Sequence, residues 1–421
     1  MTAGLQGSEL LDRLSRLAET ARSDAIPAAP ARLAWSGEHR AALDLVAGWV
    51  DHPRVEVTLD AVGSLIAEID GTDPDGAALV TGSHIDTVVN AGALDGAYGV
   101  VAAFSIVSAL ARSGERLTHP VRAVAWANEE GVVAPPFTGS AVAAGEAVDL
   151  TAPGPDGRTL GDRLAAFGCG NQSPAGSAWP PVGAYLELHV EQGPVLDRMG
   201  VPIGVVTGIT GSRRGWIRFT GQANHAGTTP MQMRSDAALA AARAVLAVDA
   251  LSTNGPAATS TVGCVEVAPG NINVIAGDSA VSFDIRSTEA EVLRRCVGIL
   301  EDAVVAIARS TSTRVTVTVT ESTDPVRTDP LLRRVIAGAA SDLGLGSIEL
   351  ASGAGHDALK MASLGPVGII FVPSIGGISH NQAEATDPAD LVAGAQVLLE
   401  TLRRADREIP ASRPSAGTDQ G

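Results

Sequence analysis

His84, Asp86 and Asp95 fall close together in Gly82-Ser83-His84-Ile85-Asp86-Thr87 and the turn Leu94-Asp95-Gly96. Imidazole and carboxylate are the donors a borderline divalent ion takes. In the His84-x-Asp86 pair the second member can orient the first, as a carboxylate does for a ligating imidazole. Asp95 sits in a glycine-flanked turn, from which one carboxylate can reach two ions. Glu129 and Glu130 are adjacent. Two such carboxylates repel when buried and unpaired, whereas at the mouth of a crevice one can bind a cation and the other handle protons. His189 in Glu187-Leu188-His189-Val190-Glu191-Gln192-Gly193 and His380 in Gly377-Ile378-Ser379-His380-Asn381 are further ligand candidates.

Of the eight histidines, His39, His52 and His119 lie in polar or loop contexts and read as structural or solvated. Other chemistries are absent: there is no G-x-S-x-G nucleophile elbow and no H-E-x-x-H helix. The single lysine, Lys360, follows Leu359 rather than glycine, which excludes a phosphate-binding loop.

The elements that must position these groups are strands. Ala78-Leu79-Val80 is a short apolar run preceding the stretch from Gly82 to Gly96, Val121 to Trp126 runs into Asn128-Glu129-Glu130, Tyr185 to Leu188 runs into His189, and Gly368 to Val372 leads to His380. Residues 9–50 carry apolar residues at three and four spacing, and residues 99–112 are apolar enough for a buried helix. Strands alternating with helices predict an α/β fold with a mostly parallel sheet and helices on both faces, whose ligand crevice lies at the carboxyl ends of the strands. Near Gly208 the texture changes to strands at Trp216–Thr220, Thr259–Val267, Ala280–Arg286 and Arg314–Thr320, with helical stretches at 235–249 and 289–310. The predicted organisation is a catalytic domain over 1–210 and 325–408, interrupted by an inserted α+β domain over 211–324. The Pro-, Ser- and Gly-rich tail over 409–421 reads as disordered.

Composition narrows the class. At 45% hydrophobic and 18% charged over 421 residues the chain is ordinary for a soluble protein. A net charge of −17 argues against nucleic acid and against a polybasic membrane contact. Cys169, Cys264 and Cys296 form no CxxC pair, and with no secretory leader pattern at the start the expected compartment is the cytoplasm.

The motifs together resemble one family. To those above are added Gly221-Gln222-Ala223-Asn224-His225-Ala226-Gly227-Thr228-Thr229-Pro230-Met231, Asn273-Val274-Ile275, Asp284-Ile285-Arg286 and Ser352-Gly353-Ala354-Gly355-His356-Asp357-Ala358. From about Leu33 to Leu402 the chain resembles the amidase branch of the di-metal aminoacylase and carboxypeptidase superfamily. That branch holds N-carbamoyl-L-amino acid hydrolases, bacterial β-ureidopropionases and allantoate amidohydrolases; His189, where the peptidases tend to place a carboxylate, separates it from them. The resemblance implies two divalent ions per subunit, zinc or manganese, with cobalt or nickel also compatible. It makes Asp95 the bridging ligand, His84 and His189 the remaining ligands of one ion, and Glu130 and His380 those of the other. Glu129 becomes the general base and Asp86 the support of His84. It makes the inserted domain a lid and homodimerisation domain, from which His225 reaches the partner's site to polarise the scissile carbonyl. Asn273 and Arg286 would grip the substrate carboxylate, with Gln192 and His356 near the substrate.

The implied activity is hydrolysis of the ureido C–N bond of an N-carbamoyl-L-amino acid or a related ureido acid such as allantoate, releasing ammonia and carbon dioxide. Two alternatives stand beside it: an N-acyl amino acid hydrolase or dipeptidase of the wider superfamily, and a catalytically silent, metal-bound binding protein. The chain departs from the family at Val132-Val133-Ala134-Pro135-Pro136-Phe137-Thr138-Gly139-Ser140, which lacks the arginine expected after the glutamate pair.

Overall fold

The computed structural model describes residues 4–21, 31–169 and 173–410. Two compact units result. One runs to Thr207 and resumes at Thr328; the other is Gly208–Arg327. Residues 411–421, most of the tail expected to be disordered, lie outside the described residues, as do 22–30 within the N-terminal helical stretch. That stretch forms the helices Gly7–Glu19 and Gly37–Gly48.

The sheet of the first unit has four parallel strands at its centre, in the order Val121–Trp126, Leu79–His84, Ala184–Val190 and Val367–Val372. Antiparallel strands flank them: Leu65–Ile69 and then Val55–Leu59 on one side, Ile203–Ile209 on the other. The mostly parallel sheet therefore holds for the central strands that end at candidate site residues. Every residue of Leu79–His84, Ala184–Val190 and Val367–Val372 is buried. A strand buried at every position has both faces covered, which suits the unbroken apolar run of Val367–Val372 and requires partners for the polar residues of the other two. The helix Ala97–Ser113, buried nearly all round, packs on three of these strands, while Pro330–Asp342 and Pro388–Glu408 pack on each other and on Val367–Val372. Asp329 and Asp387 cap the last two helices by accepting from Leu331 N and Ala389 N, with proline at the first helical position.

The second unit is an antiparallel sheet in the order Val265–Ala268, Asp278–Ser287, Gly211–Thr220, Arg314–Thr323, with Thr259–Thr261 also paired to Asp278–Ser287. The helices Ala237–Thr253 and Ala290–Thr311 bury alanines, Leu293, Cys296, Leu300 and Val304 in its separate core. A two-residue ribbon pairs Asn224–His225 with Val274–Ile275.

Candidate metal centre

Parallel pairing levels the strand ends. Val121–Trp126 is in register with Leu79–His84, with Trp126 opposite His84. Phe371 is likewise opposite His189. The residues just beyond each strand therefore converge. Two groups of donors form, His84 with Asp95 and His189, and Asp95 with Glu130 and His380; within each group the donor atoms lie within 4.8 Å of one another. Asp95 belongs to both. His189 Nε2 is 3.1 Å from Asp95 Oδ1, and His380 Nε2 is 3.0 Å from Oδ2 and 3.6 Å from Glu130 Oε2. Glu129 stands in neither group, with Oε2 3.6 Å from His84 Nε2.

Backbone conformation sets these positions. Gly96 has φ +63°, and a Cβ there would lie 2.3 Å from His84 Nε2, so only glycine lets the turn pass the imidazole. Asn128, Gln192 and His380 carry positive φ as well, a strain typical of functional sites. Asn128 Nδ2 donates to the carbonyls of Ala134 and Pro135 and to Thr138 Oγ1, while Phe137 N donates to Glu129 O at 3.2 Å. The atypical loop is thus sewn to the backbone of the glutamate pair.

The residues fit a divalent cation. Nδ1 of His84 and of His189 face the carbonyls of Asp86 and Val190 at 2.9 and 2.8 Å. Those contacts place the proton on Nδ1 and leave the Nε2 lone pairs turned toward carboxylates. His189 Nε2 also receives Gly96 N at 3.0 Å. A protonated Nε2 can donate to Asp95 but cannot accept from Gly96 N, and an unprotonated Nε2 faces the Asp95 carboxylate lone pair to lone pair, a repulsion that a cation between the two relieves. The electrostatics agree. Burial, and then Asp95, push Glu130 up to about 8. Burial drives Glu129 well above the carboxylate range, reinforced by the charges of Asp357, Glu130, Asp86 and Asp95. Burial opposes charge on His189, yet its hydrogen bond to Asp95 raises it to about 9. The Asp95 hydrogen bond does the same for His380. Such an excess of acid favours positive charge.

Two expected site residues make further contacts. The Asp86 carboxylate is 3.9 Å from His84 Nδ1, whose partner is instead the Asp86 carbonyl. The carboxylate accepts from Glu129 N and Glu130 N, both at 3.2 Å. The register explains this, because residue 86 lies level with the end of the neighbouring strand. His356, expected beside the substrate, is 1% exposed. Its Nε2 is 2.8 Å from Ser352 Oγ, and its ring stands edge-on to His189 at 4.8 Å. It packs against the ligand. Gln192 turns its amide to the shared carboxylate, Nε2 donating to Asp95 Oδ2 at 2.8 Å.

Within the second unit, Ala226 N donates to Asn273 O beside the His225 ribbon. His225 Nδ1 accepts from Gly227 N at 3.0 Å and Thr228 N at 3.2 Å, which leaves the proton of a neutral ring on Nε2. Arg286 donates from Nε and Nη2 to Asp284 at 3.1 and 2.9 Å. Burial opposes ionisation of Asp284, but Arg286 and Arg214 hold its carboxyl below the usual range.

Three contributors have little sequence signal. Glu187 is fully buried and joins Ser83 Oγ to Ala358 N. Asp357, also fully buried, accepts from Ser140 Oγ; its only signal is its place after His356. Glu384 accepts from the amides of Leu94 and Asp95.

The fold and donor set define a member of a known metallohydrolase class: the chain belongs to peptidase family M20/M25/M40, whose sequence profile matches residues 80–404. It is 35% identical to the N-carbamoyl-L-amino acid amidohydrolase of Geobacillus stearothermophilus, over 94% of this chain and 98% of that one. It is 36% identical to the allantoate amidohydrolase of Escherichia coli, over 82% and 85%. A crystal structure of an amidase of the hydantoinase/carbamoylase family from Burkholderia multivorans superposes with a TM-score of 0.89 at 35% identity, covering 95% of this chain and 98% of that one. Family and donor set together make this a divalent-metal site. Among the described residues no helix is long and apolar enough to cross a membrane.

Proposed function

We propose that the protein is an amidohydrolase that cleaves the ureido C–N bond of an N-carbamoyl-L-amino acid or a related ureido acid such as allantoate, releasing ammonia, carbon dioxide and the free amino acid or an equivalent amine. The observation that carries this reading is the pair of donor groups sharing Asp95, with the uncommitted carboxylate of Glu129 beside them. The names of the relatives support the substrate class. In this reading two divalent ions, zinc or manganese, occupy the two groups; when bound they supply Lewis-acid polarisation and a more acidic water. His84, Asp95 and His189 hold one, and Asp95, Glu130 and His380 the other. Glu129 takes a proton from water and returns it to the departing nitrogen. Its burial among carboxylates raises its basicity, the direction a base needs if it is to accept a proton readily and later act as the acid. Asp86 fixes the backbone of Glu129 and Glu130.

The same reading gives the Gly208–Arg327 unit the role of lid and homodimerisation domain in a cytoplasmic enzyme. The Nε2–H of the partner subunit's His225 donates to the substrate carbonyl, a job its tautomer suits. Asn273 and Arg286 bind the substrate carboxylate, for which a planar guanidinium is shaped. The test is ammonia release from a panel of N-carbamoyl-L-amino acids, N-carbamoyl-β-alanine and allantoate, after loading with zinc or manganese. Turnover of at least one is expected, and silence across the panel with metal bound rejects the proposal.

A further inference from the structure

Glu384 lies in the loop that follows Val367–Val372, four residues beyond His380, and is 9% exposed. Its Oε2 accepts from two consecutive amides of the Asp95 turn, Leu94 N at 2.8 Å and Asp95 N at 3.1 Å. Its Oε1 accepts from Ser379 Oγ at 2.9 Å, and that hydroxyl oxygen is also 3.1 Å from Asp95 Oδ2. A Cβ on Gly92 would lie 2.3 Å from Oε2, so the turn closes tightly over the carboxylate. One side chain therefore joins the turn that presents Asp95 to the loop that presents His380.

The loop does not depend on Glu384 for its own closure. Ile375 N donates to Ala385 O at 2.9 Å and Thr386 Oγ1 to Pro373 O at 2.7 Å. The Asp95 turn likewise closes itself, with Tyr98 N on Leu94 O at 2.9 Å. What Glu384 adds is the register between two pieces that each close alone, and the Asp95–Glu130–His380 group needs that register because its donors come from both. We propose that Glu384 is a positioning residue for this group: by accepting the Leu94 and Asp95 amides it sets the distance between Asp95 and His380, and so the affinity of that site for a divalent cation. The inference rests on the reading of Asp95 and His380 as ligands.

The requirement is an acceptor for two amides with a polar partner for Ser379. Glutamine meets it: its Oε1 accepts both amides, while its Nε2 donates to Ser379 Oγ and frees the hydroxyl proton for Asp95. Alanine does not. The test is titration of metal-stripped, full-length protein with Mn(II) alone, followed by the electron paramagnetic resonance signal of the free ion. Wild type takes up two ions per chain in the proposed reading. Glu384→Ala should weaken the same step that His380→Ala weakens, by about 10–100-fold, with the other step within about threefold of wild type. Glu384→Gln should stay within about threefold of wild type at both steps. If Glu384→Ala does not fold, Glu384→Asp, one methylene too short to reach both amides, takes its place in the same titration. Wild-type affinity at both steps in Glu384→Ala, whatever its melting temperature, overturns the proposal. Equal losses in the Ala and Gln variants also overturn it, because charge and not the acceptor geometry would then matter. If His380→Ala binds both ions like wild type, the ligand reading has failed, a result separate from a failure of Glu384 alone.

Discussion

Replacing Gly96 by alanine isolates the closest approach in the site. The added Cβ would stand 2.3, 2.4 and 2.5 Å from Nε2, Cε1 and Cδ2 of His84. Carbon contacts settle at about 3.5–4.0 Å, so the ring must retreat by about 1 Å. It has no free direction, being 2% exposed with Nδ1 held by the Asp86 carbonyl at 2.9 Å. Breaking that bond costs about 1 kcal/mol. The backbone at φ 63°, ψ −47° costs a residue with a side chain about 1–3 kcal/mol more. Gly114 supplies the control. It ends the same helix at φ 73°, ψ 6°, and a Cβ there meets nothing within 4 Å. Gly114→Ala should therefore lose about 1–2 kcal/mol and keep its metal and activity. Gly96→Ala should lose about 2–4 kcal/mol and, with a ligand displaced by about 1 Å, about 100-fold in rate. Bound metal by mass spectrometry, ammonia release and urea unfolding on both variants make the comparison. Metal content and rate in Gly96→Ala within about twofold of Gly114→Ala would refute the steric argument.

Glu129→Gln should reduce ammonia release by about 10²–10⁴-fold while bound metal stays unchanged. Mixing Glu129→Gln with His225→Ala should restore part of the activity if His225 serves the partner's site; no recovery in verified mixed dimers removes that role. Chelation should abolish turnover and, for an ion held at about 100 times its Kd, lower stability by about 2.7 kcal/mol, read as a fall in the urea midpoint that Mn(II) reverses. His39 gives a pH test away from the metal groups. Burial, aided by the Arg32 charge, depresses it to about 3, against about 6.5 unfolded. Below pH 6.5 only the unfolded chain takes this proton, so stability is full above that value and falls toward pH 3 at about 1.4 kcal/mol per unit. His39→Asn, with Oδ1 accepting the Trp35 amide in place of Nδ1, should lose about 2–3 kcal/mol less than wild type between pH 6.5 and 4.5. Equal acid sensitivity in the two would contradict it.

The ligand strands were legible because each carries a short apolar run ahead of a polar segment: Ala78 to Val80 ahead of His84, Ala123 to Ala127 ahead of Glu129, Leu188 ahead of His189, and Gly368 to Val372 ahead of His380. A strand buried on both faces leaves little room for that pattern to mean anything else. The contacts of Asp86 were not legible. They follow from the register that sets Trp126 opposite His84, and spacing along one strand says nothing of its neighbour's register. His356 was placed near the substrate by its motif alone, and only packing against His189 reveals its burial. Glu384 gave no signal because its partners are backbone amides, present at nearly every position of any chain.

The donors of the two groups are scattered in the order His84, Asp95, Glu130, His189 and His380, and the strand before His380 pairs with the one before His189. A growing chain thus displays four of the five long before the last is made. Until Val367–Val372 docks, the Asp95–Glu130–His380 group lacks its last donor, while the His84–Asp95–His189 group already has all three. Completion of the second group is in this way tied to the arrival of Val367–Val372, the strand that leads to His380.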